Sequence, residues 1–161
     1  VGDIVTFNGV DLTTNRAAAG AYVAVPAKFQ LVDSSTYKLD TKYVTVDKVA
    51  QTVQNINNEF KCAITVVDHY GIAVEASVIA GTGYVVQYLS ATGEVLNSAT
   101  VVIIGDITGD GVITAADSIC SSLLVKGTAS YTEAQNKAAD VNEDGVMSTL
   151  DYVSMKNLCK A

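Results

Sequence analysis

The sequence predicts two modules: a mostly β part over residues 1–104, sandwich-like or α+β with one amphipathic helix, and a small all-α part over residues 105–161. Three observations predict this. Short β-branched and aromatic runs, punctuated by Gly, Pro and polar clusters, dominate the first part. One segment of it changes to a helical period. From Gly105 onward the chain repeats itself, with Asp106 and Asp140 opening two similar stretches 34 residues apart.

In chain order, Ile4–Phe7, Ala21–Val25, Phe29–Val32 and Tyr37–Val44 read as strands, separated by Gly9, Gly20 and Asp33–Ser35. Pro26, the only proline, suits an edge or bulge. Val46, Val49, Ala50, Val53, Ile56 and Phe60 then recur at three- and four-residue steps, which predicts a helix with Thr45 as its N-cap and Asp47 in its first turn. Cys62–Val67 reads as a buried strand, Asp68–Gly71 as a turn and Ile72–Ala80 as a further strand. Gly81-Thr82-Gly83 reads as a turn into the strand Tyr84–Leu89, and Ala91-Thr92-Gly93 closes a hairpin with Val95–Ile104. Only Gly105 separates that last strand from Asp106, so the second part is expected to be fixed against the first.

Asp106–Asp117 reads Asp-Ile-Thr-Gly-Asp-Gly-Val-Ile-Thr-Ala-Ala-Asp, and Asp140–Asp151 reads Asp-Val-Asn-Glu-Asp-Gly-Val-Met-Ser-Thr-Leu-Asp. Oxygen-bearing side chains stand at positions 1, 3, 5, 9 and 12 of each stretch, with Gly at 6, which is the pattern of an EF-hand calcium loop. The expected ligands of the first are Asp106, Thr108, Asp110, the Val112 carbonyl, Thr114 and Asp117. Those of the second are Asp140, Asn142, Asp144, the Val146 carbonyl, Ser148 and Asp151. Two Ca²⁺ ions are therefore expected. Asp at position 12 is a shorter arm than the usual Glu, and Thr108 is a weaker ligand than Asn142, so the second loop is expected to bind more tightly.

Each loop runs into an apolar stripe at helical spacing: Ile119, Cys120, Leu123 and Leu124 after the first, and Leu150, Val153 and Leu158 after the second. Lys126-Gly127 marks the end of the first helix, and Ser130 to Glu133 has the spacing of a capping box for a short helix through Ala138. A helix before the first loop is missing, because Val101–Ile104 is β-branched.

Composition narrows the function. An apolar content of 49% supports a real core. A net charge of −7 disfavours nucleic acid and anionic lipid as partners, and the apolar runs are too short for membrane insertion. Six acids of the second part lie at loop ligand positions, so the acidity reads as a metal requirement. Cys62, Cys120 and Cys159 are read as buried free thiols, and no pair of them has zinc-site spacing. His69 lies in a turn and reads as exposed, the tyrosines as packed on the sheet, and Gly81–Gly83 as lacking the glycines of a phosphate loop. No catalytic residue is predicted. A start at Val1 is expected of a processed or excised fragment.

The two loop–helix segments resemble the duplicated segment of dockerins, the modules that plug enzymes and scaffold proteins into cohesins in cellulosome-type, polysaccharide-degrading assemblies. The resemblance covers residues 105–161, and Asp at position 12 and the missing first helix both fit it. It implies a non-catalytic assembly function, structural calcium, a cohesin of a scaffold or cell-surface protein as partner, and secretion by an anaerobic bacterium. It also implies cohesin contacts at Ala115, Ala116, Ser122 and Leu123, and at Thr149, Leu150, Lys156 and Asn157. These two sets differ, whereas many dockerins have near-symmetric sets and bind in two orientations; one dominant orientation is therefore expected. Leu123 suits core as well as contact. Residues 1–104 resemble the β-rich X modules that precede some dockerins as stabilisers or spacers. The alternatives are a carbohydrate- or cell-surface-binding β module with a calcium pair appended, and a fragment of an enzyme lying upstream.

Overall fold

The computed structural model describes residues 6–7, 10–11 and 29–160. The predicted strand Ala21–Val25, Pro26, Gly9 and Gly20 lie outside the described residues. Thr6–Phe7 (β1) and Val10–Asp11 (β2) form an antiparallel two-residue pair. The main sheet comprises Lys38–Leu39 (β3), Tyr43–Val46 (β4), Thr65–Val67 (β5), Val85–Leu89 (β6) and Val95–Ile103 (β7), in the order β3-β4-β7-β6-β5. All of its pairings are antiparallel except β4 with β7, where Val44 faces Val101 and Val46 faces Ile103. Among the described residues this is one mixed sheet flanked by helices, α+β and not a sandwich. The helices Ala115–Val125 (α2), Glu133–Ala139 (α3) and Thr149–Leu158 (α4) follow it in the C-terminal part.

β7 is the central strand, and the continuous run at its end has a physical cause. Ala99, Val101 and Ile103 face a core with Val44, Val46, Val86, Ile56 and Phe60. Val102 faces the other way, against Ala134 and Ala138 of α3, with Tyr43 and Ile104 beside them. Apolar residues on both faces lose the alternation of a half-exposed strand. The alanines of α3 let that helix lie close to the sheet. A third cluster, Ile107, Ala139 and Met155 with Ile113, Leu124, Tyr131 and Val141 around it, joins the loops to α2, α3 and α4.

Several predicted elements change. The helix of the first part, Val53–Asn58 (α1), is shorter than expected and is capped by Thr52, whose side chain accepts the Asn55 N–H at 3.2 Å. Thr45 and Val46 belong to β4, Val49 is 41% exposed, and Ala50 is left-handed at φ 55°. Val44 and Val46 are buried by strand alternation; Val46 joined the helical period by coincidence. The predicted strand Tyr37–Val44 is broken after Leu39 because Asp40 Oδ1 takes the Lys42 and Tyr43 N–H groups, which also hold its pKa below the ordinary value. Phe29–Val32 makes only an isolated bridge from Leu31 to Phe60, and the strand expected from Cys62 begins at Thr65.

Ile72–Ala80 is not a strand. Its carbonyls at Val78 and Ala76 accept the Val53 and Gln54 N–H groups, and Ala80 N–H returns a bond to Gln51. The segment thus satisfies the free donors at the start of α1. The short helix α3 is capped by Thr132 with Gln135, two residues after the predicted Ser130–Glu133 box. Cys62, Cys120 and Cys159 are free but only half-buried. His69 is exposed as expected, with its ring edge-on to Tyr84 at 5.0 Å between centroids. No helix among the described residues is long and apolar enough to cross a membrane.

The corrected start of α1 is testable. Thr52→Ala is expected to lower unfolding free energy by about 1 kcal/mol, whereas Thr45→Ala in the strand removes no cap; urea denaturation of the two variants separates the two helix starts.

Candidate functional site

Both repeats fold into the same local skeleton. In the first, Asp106 Oδ1 accepts the Gly109 and Asp110 N–H groups at 2.8 and 3.1 Å, and Oδ2 accepts Gly111 N–H at 3.1 Å. In the second, Asp140 Oδ1 accepts Asp144 N–H at 3.1 Å and Oδ2 accepts Gly145 N–H at 2.8 Å. Asp110 and Asp144 then take the N–H groups of Val112 and Val146. The Gly111 and Gly145 φ angles of 83° and 85° make the sharp turn possible.

Positions 9 and 12 have a second task. Thr114 and Ser148 are the N-caps of α2 and α4, and Asp117 and Asp151 close each capping box. Asp117 Oδ1 also accepts the Ile107 and Thr108 N–H groups and the Thr108 hydroxyl. Asp151 Oδ1 accepts Asn142 N–H at 3.2 Å. The last residue of each loop therefore draws the loop start onto the helix start.

In this conformation the carboxylates turn onto N–H groups, and among the described residues no three acidic, His or Cys side chains gather closely enough to hold an ion by themselves. The surroundings nevertheless fit Ca²⁺. The donors are all oxygens of Asp, Asn, Thr and Ser, which suits a hard cation. Asp106 and Asp117 are both fully buried, and the ion pairs among the described residues (Lys38–Glu143, Lys42–Glu133 and Lys61–Asp33) leave both without a cationic partner. Burial raises the Asp106 pKa; the Thr82, Gly109 and Gly111 N–H groups oppose that, and the Asp117 charge adds to it. Two buried like charges without a cation are what a divalent ion relieves. In the second loop burial also acts upward on Asp151, but the bonds from Ser148 and Asn142 outweigh it and its pKa is lowered. There Asn142 and Asp144 are exposed and Asp140 is half-buried.

The residues matched to partner contacts fall on the outer faces of α2 and α4. Ala115, Ala116, Thr149, Leu150, Lys156 and Asn157 are exposed, while Ser122 and Leu123 are half-buried. Leu150 is 59% exposed, which removes it from the core. Ile119 and Val153, placed in the packing stripes from sequence, are 62% and 48% exposed. They occupy the same repeat position, 34 residues apart, on the helical face of Ala116 and Leu150. That shared position was the signal that could have found them. Cys120, Leu124 and Met155 do the packing instead. Tyr152 is a further residue missed. Its phenol is held below its ordinary pKa first by Lys156, whose Nζ lies 4.6 Å from the ring centroid, with Ser122 and Lys126 adding.

Residues 104–158 match the family model of the dockerin type I domain. Domains of that family bind calcium and dock onto cohesins. The match begins where β7 has just ended and leaves the sheet outside it. No curated protein and no solved structure matches the chain.

One buried group of the helix pair stands alone. Ser121 Oγ, fully buried in α2, has no hydrogen-bond partner among the described residues. Ser121→Ala is expected to stabilise the protein by about 1 kcal/mol, read as a melting-temperature rise of about 2–4 °C.

Proposed function

We propose that this chain is a non-catalytic assembly module: a calcium-dependent dockerin that binds a cohesin and so anchors its parent protein in an extracellular, cellulosome-type complex. The single observation that carries the reading is the paired exposure of Ile119 and Val153 at one repeat position, within the stretch that matches the dockerin type I domain. Apolar side chains of this size, exposed beside Leu150 and at matching places on two helices, form the centre of a protein-docking face. The charged and polar contacts Ser122, Lys156 and Asn157 would form its rim.

Calcium would be held by Asp106, Thr108, Asp110, the Val112 carbonyl, Thr114 and Asp117, and by Asp140, Asn142, Asp144, the Val146 carbonyl, Ser148 and Asp151. Bound there, two ions would neutralise the buried carboxylates and fix the starts of α2 and α4. The β part acts in this reading as an X-module-like rigid support. The seating of α3 on Val102 and the Lys42–Glu133 and Lys38–Glu143 pairs support that role.

Titration calorimetry against a panel of type I cohesins is expected to give one-to-one binding in Ca²⁺ that EDTA abolishes. Saturating Ca²⁺ with no binding to any cohesin would remove this reading. Ile119→Asp and Val153→Asp separate the orientations. With one dominant orientation, one substitution is expected to weaken binding about thirtyfold or more, the effect of losing a hot spot, and the other is tolerated. Tolerance of each alone, with loss only in the double variant, would establish two interchangeable orientations.

A further inference from the structure

The two loops share a skeleton but not a setting. The first is pressed against the turn Gly81-Thr82-Gly83 of the β part. Thr82 N–H donates to Asp106 Oδ2 at 2.8 Å, and Ala50 N–H donates to the Gly111 carbonyl at 2.7 Å. Thr82 is itself fully buried, its hydroxyl accepting Ile103 N–H at 3.0 Å, so the donor is fixed to β7. A Cβ on Gly81 would overlap the Gly109 carbonyl. A Cβ on Gly109 would lie 2.6 Å from the Thr82 carbonyl oxygen, and one on Gly111 would lie 2.6 Å from that of Ala80.

The second loop has no such wall; the exposed Lys38–Glu143 ion pair reaches it from the β part without enclosing it. A Cβ on Gly145, the counterpart of Gly111, would meet nothing within 4 Å. The counterpart of Gly109 is Glu143, which adopts φ 56° at the place where Gly109 has 80°. Both positions are left-handed, yet only the clamped one carries glycine. The difference follows from space: Glu143 is exposed, and Gly109 has the Thr82 carbonyl against it.

From this we infer that the two loops hold calcium under different control, an inference that rests on the calcium reading above. The first is pre-shaped by the Gly81–Thr82 clamp of the β part and releases its ion slowly. The second depends on its ion for its shape, faces water and exchanges readily. Thr82 and Gly81 are positioning residues: they touch the loop and not the ion. Pre-shaping lowers the ordering cost of binding and, by closing the Asp106 side to water, slows the opening that release requires. The order runs against that expected from ligand chemistry, because the wall around the first loop outweighs the weaker ligand Thr108. The chain would thus carry one permanent ion and one that responds to calcium concentration, and α4 would be the helix released first.

The test uses the full chain loaded with calcium and mixed rapidly with excess fluorescent chelator. Two release phases are expected; Asp140→Ala removes the fast one and Asp106→Ala the slow one. Gly81→Ala is expected to speed the slow phase by about tenfold or more, the factor that loss of one ordinary hydrogen bond brings, and to leave the fast phase alone. In EDTA, hydrogen exchange is expected to keep the Gly109 and Gly111 amides protected while those of Asp144 and Gly145 exchange freely. A folded Gly81→Ala variant with unchanged rates, a single phase for both ions, or loss of the slow phase in Asp140→Ala would overturn the inference. Should Gly81→Ala not fold, the aspartate variants and the exchange pattern decide alone. Protection of the first loop in a chain that binds no calcium would sink the calcium reading and leave the clamp standing.

Discussion

The Asp106 carboxylate is buried, and its two oxygens are filled by N–H groups from Gly109, Asp110 and Gly111 of its own loop and from Thr82 of the sheet part. An anion out of water is tolerated only when its lone pairs are met and its charge is offset. The first condition already dictates much of the structure. It requires the loop to curl around one side chain, which requires left-handed turns at Gly109 and Gly111. It requires the Gly81–Gly83 turn to touch the loop, which leaves no room for a side chain at Gly81 or Gly109. The second condition calls for a cation that the protein part does not supply, since Asp117 is buried in the same loop. The call for a cation and the contact with the sheet part therefore meet at one carboxylate.

β7 carries the other half of that junction. Its buried end holds the α1 core on one face and α3 on the other, then hands the chain through Gly105 to Asp106. Gly105 N–H bonds to the Ala138 carbonyl, and the Gln135 side-chain amide bonds to the Ile107 carbonyl, so α3 is tied to the first loop as well as to the strand. The helix that links the repeats is consequently part of the sheet's packing. The division of the sequence after residue 104 follows composition, while the packing crosses it.

What was legible in the sequence was local. The spacing of side-chain oxygens, the sharp-turn glycines and the helix starts are set within a dozen or so residues, and α2 and α4 followed from them. The misreadings came from two sources. Strand alternation and helical periodicity coincide at short range, which drew Val46 into a helix that starts after Thr52. A stripe of apolar residues also says nothing about what covers it, so Ile119 and Val153 read as packing although the structure leaves them open. The Gly81-Thr82-Gly83 turn was recognised as a turn, but its contact with Asp106 spans 24 residues and leaves no mark in the spacing. Only the exchange of Gly109 for Glu143 between the repeats hints at it.

The repeats thus began from one local plan and were made unequal by their surroundings. Ser121 and Met155 occupy one repeat position and both are fully buried, a small residue in α2 and a large one in α4. The loop before α2 is backed by the sheet, and the loop before α4 faces solvent. A recognition face built from both helices, as proposed, would therefore rest on one loop backed by the sheet and one that faces solvent. Symmetry between the two contact sets is absent at the surface, where Ala115-Ala116 stands against Thr149-Leu150, and it is absent beneath the surface as well. Under the proposed reading, a partner in one orientation would meet α2 behind the loop backed by Thr82 and α4 behind the loop that faces solvent. Turned by half a turn, it would meet those properties exchanged, so the support under the helices, and not only the side chains upon them, distinguishes the two orientations.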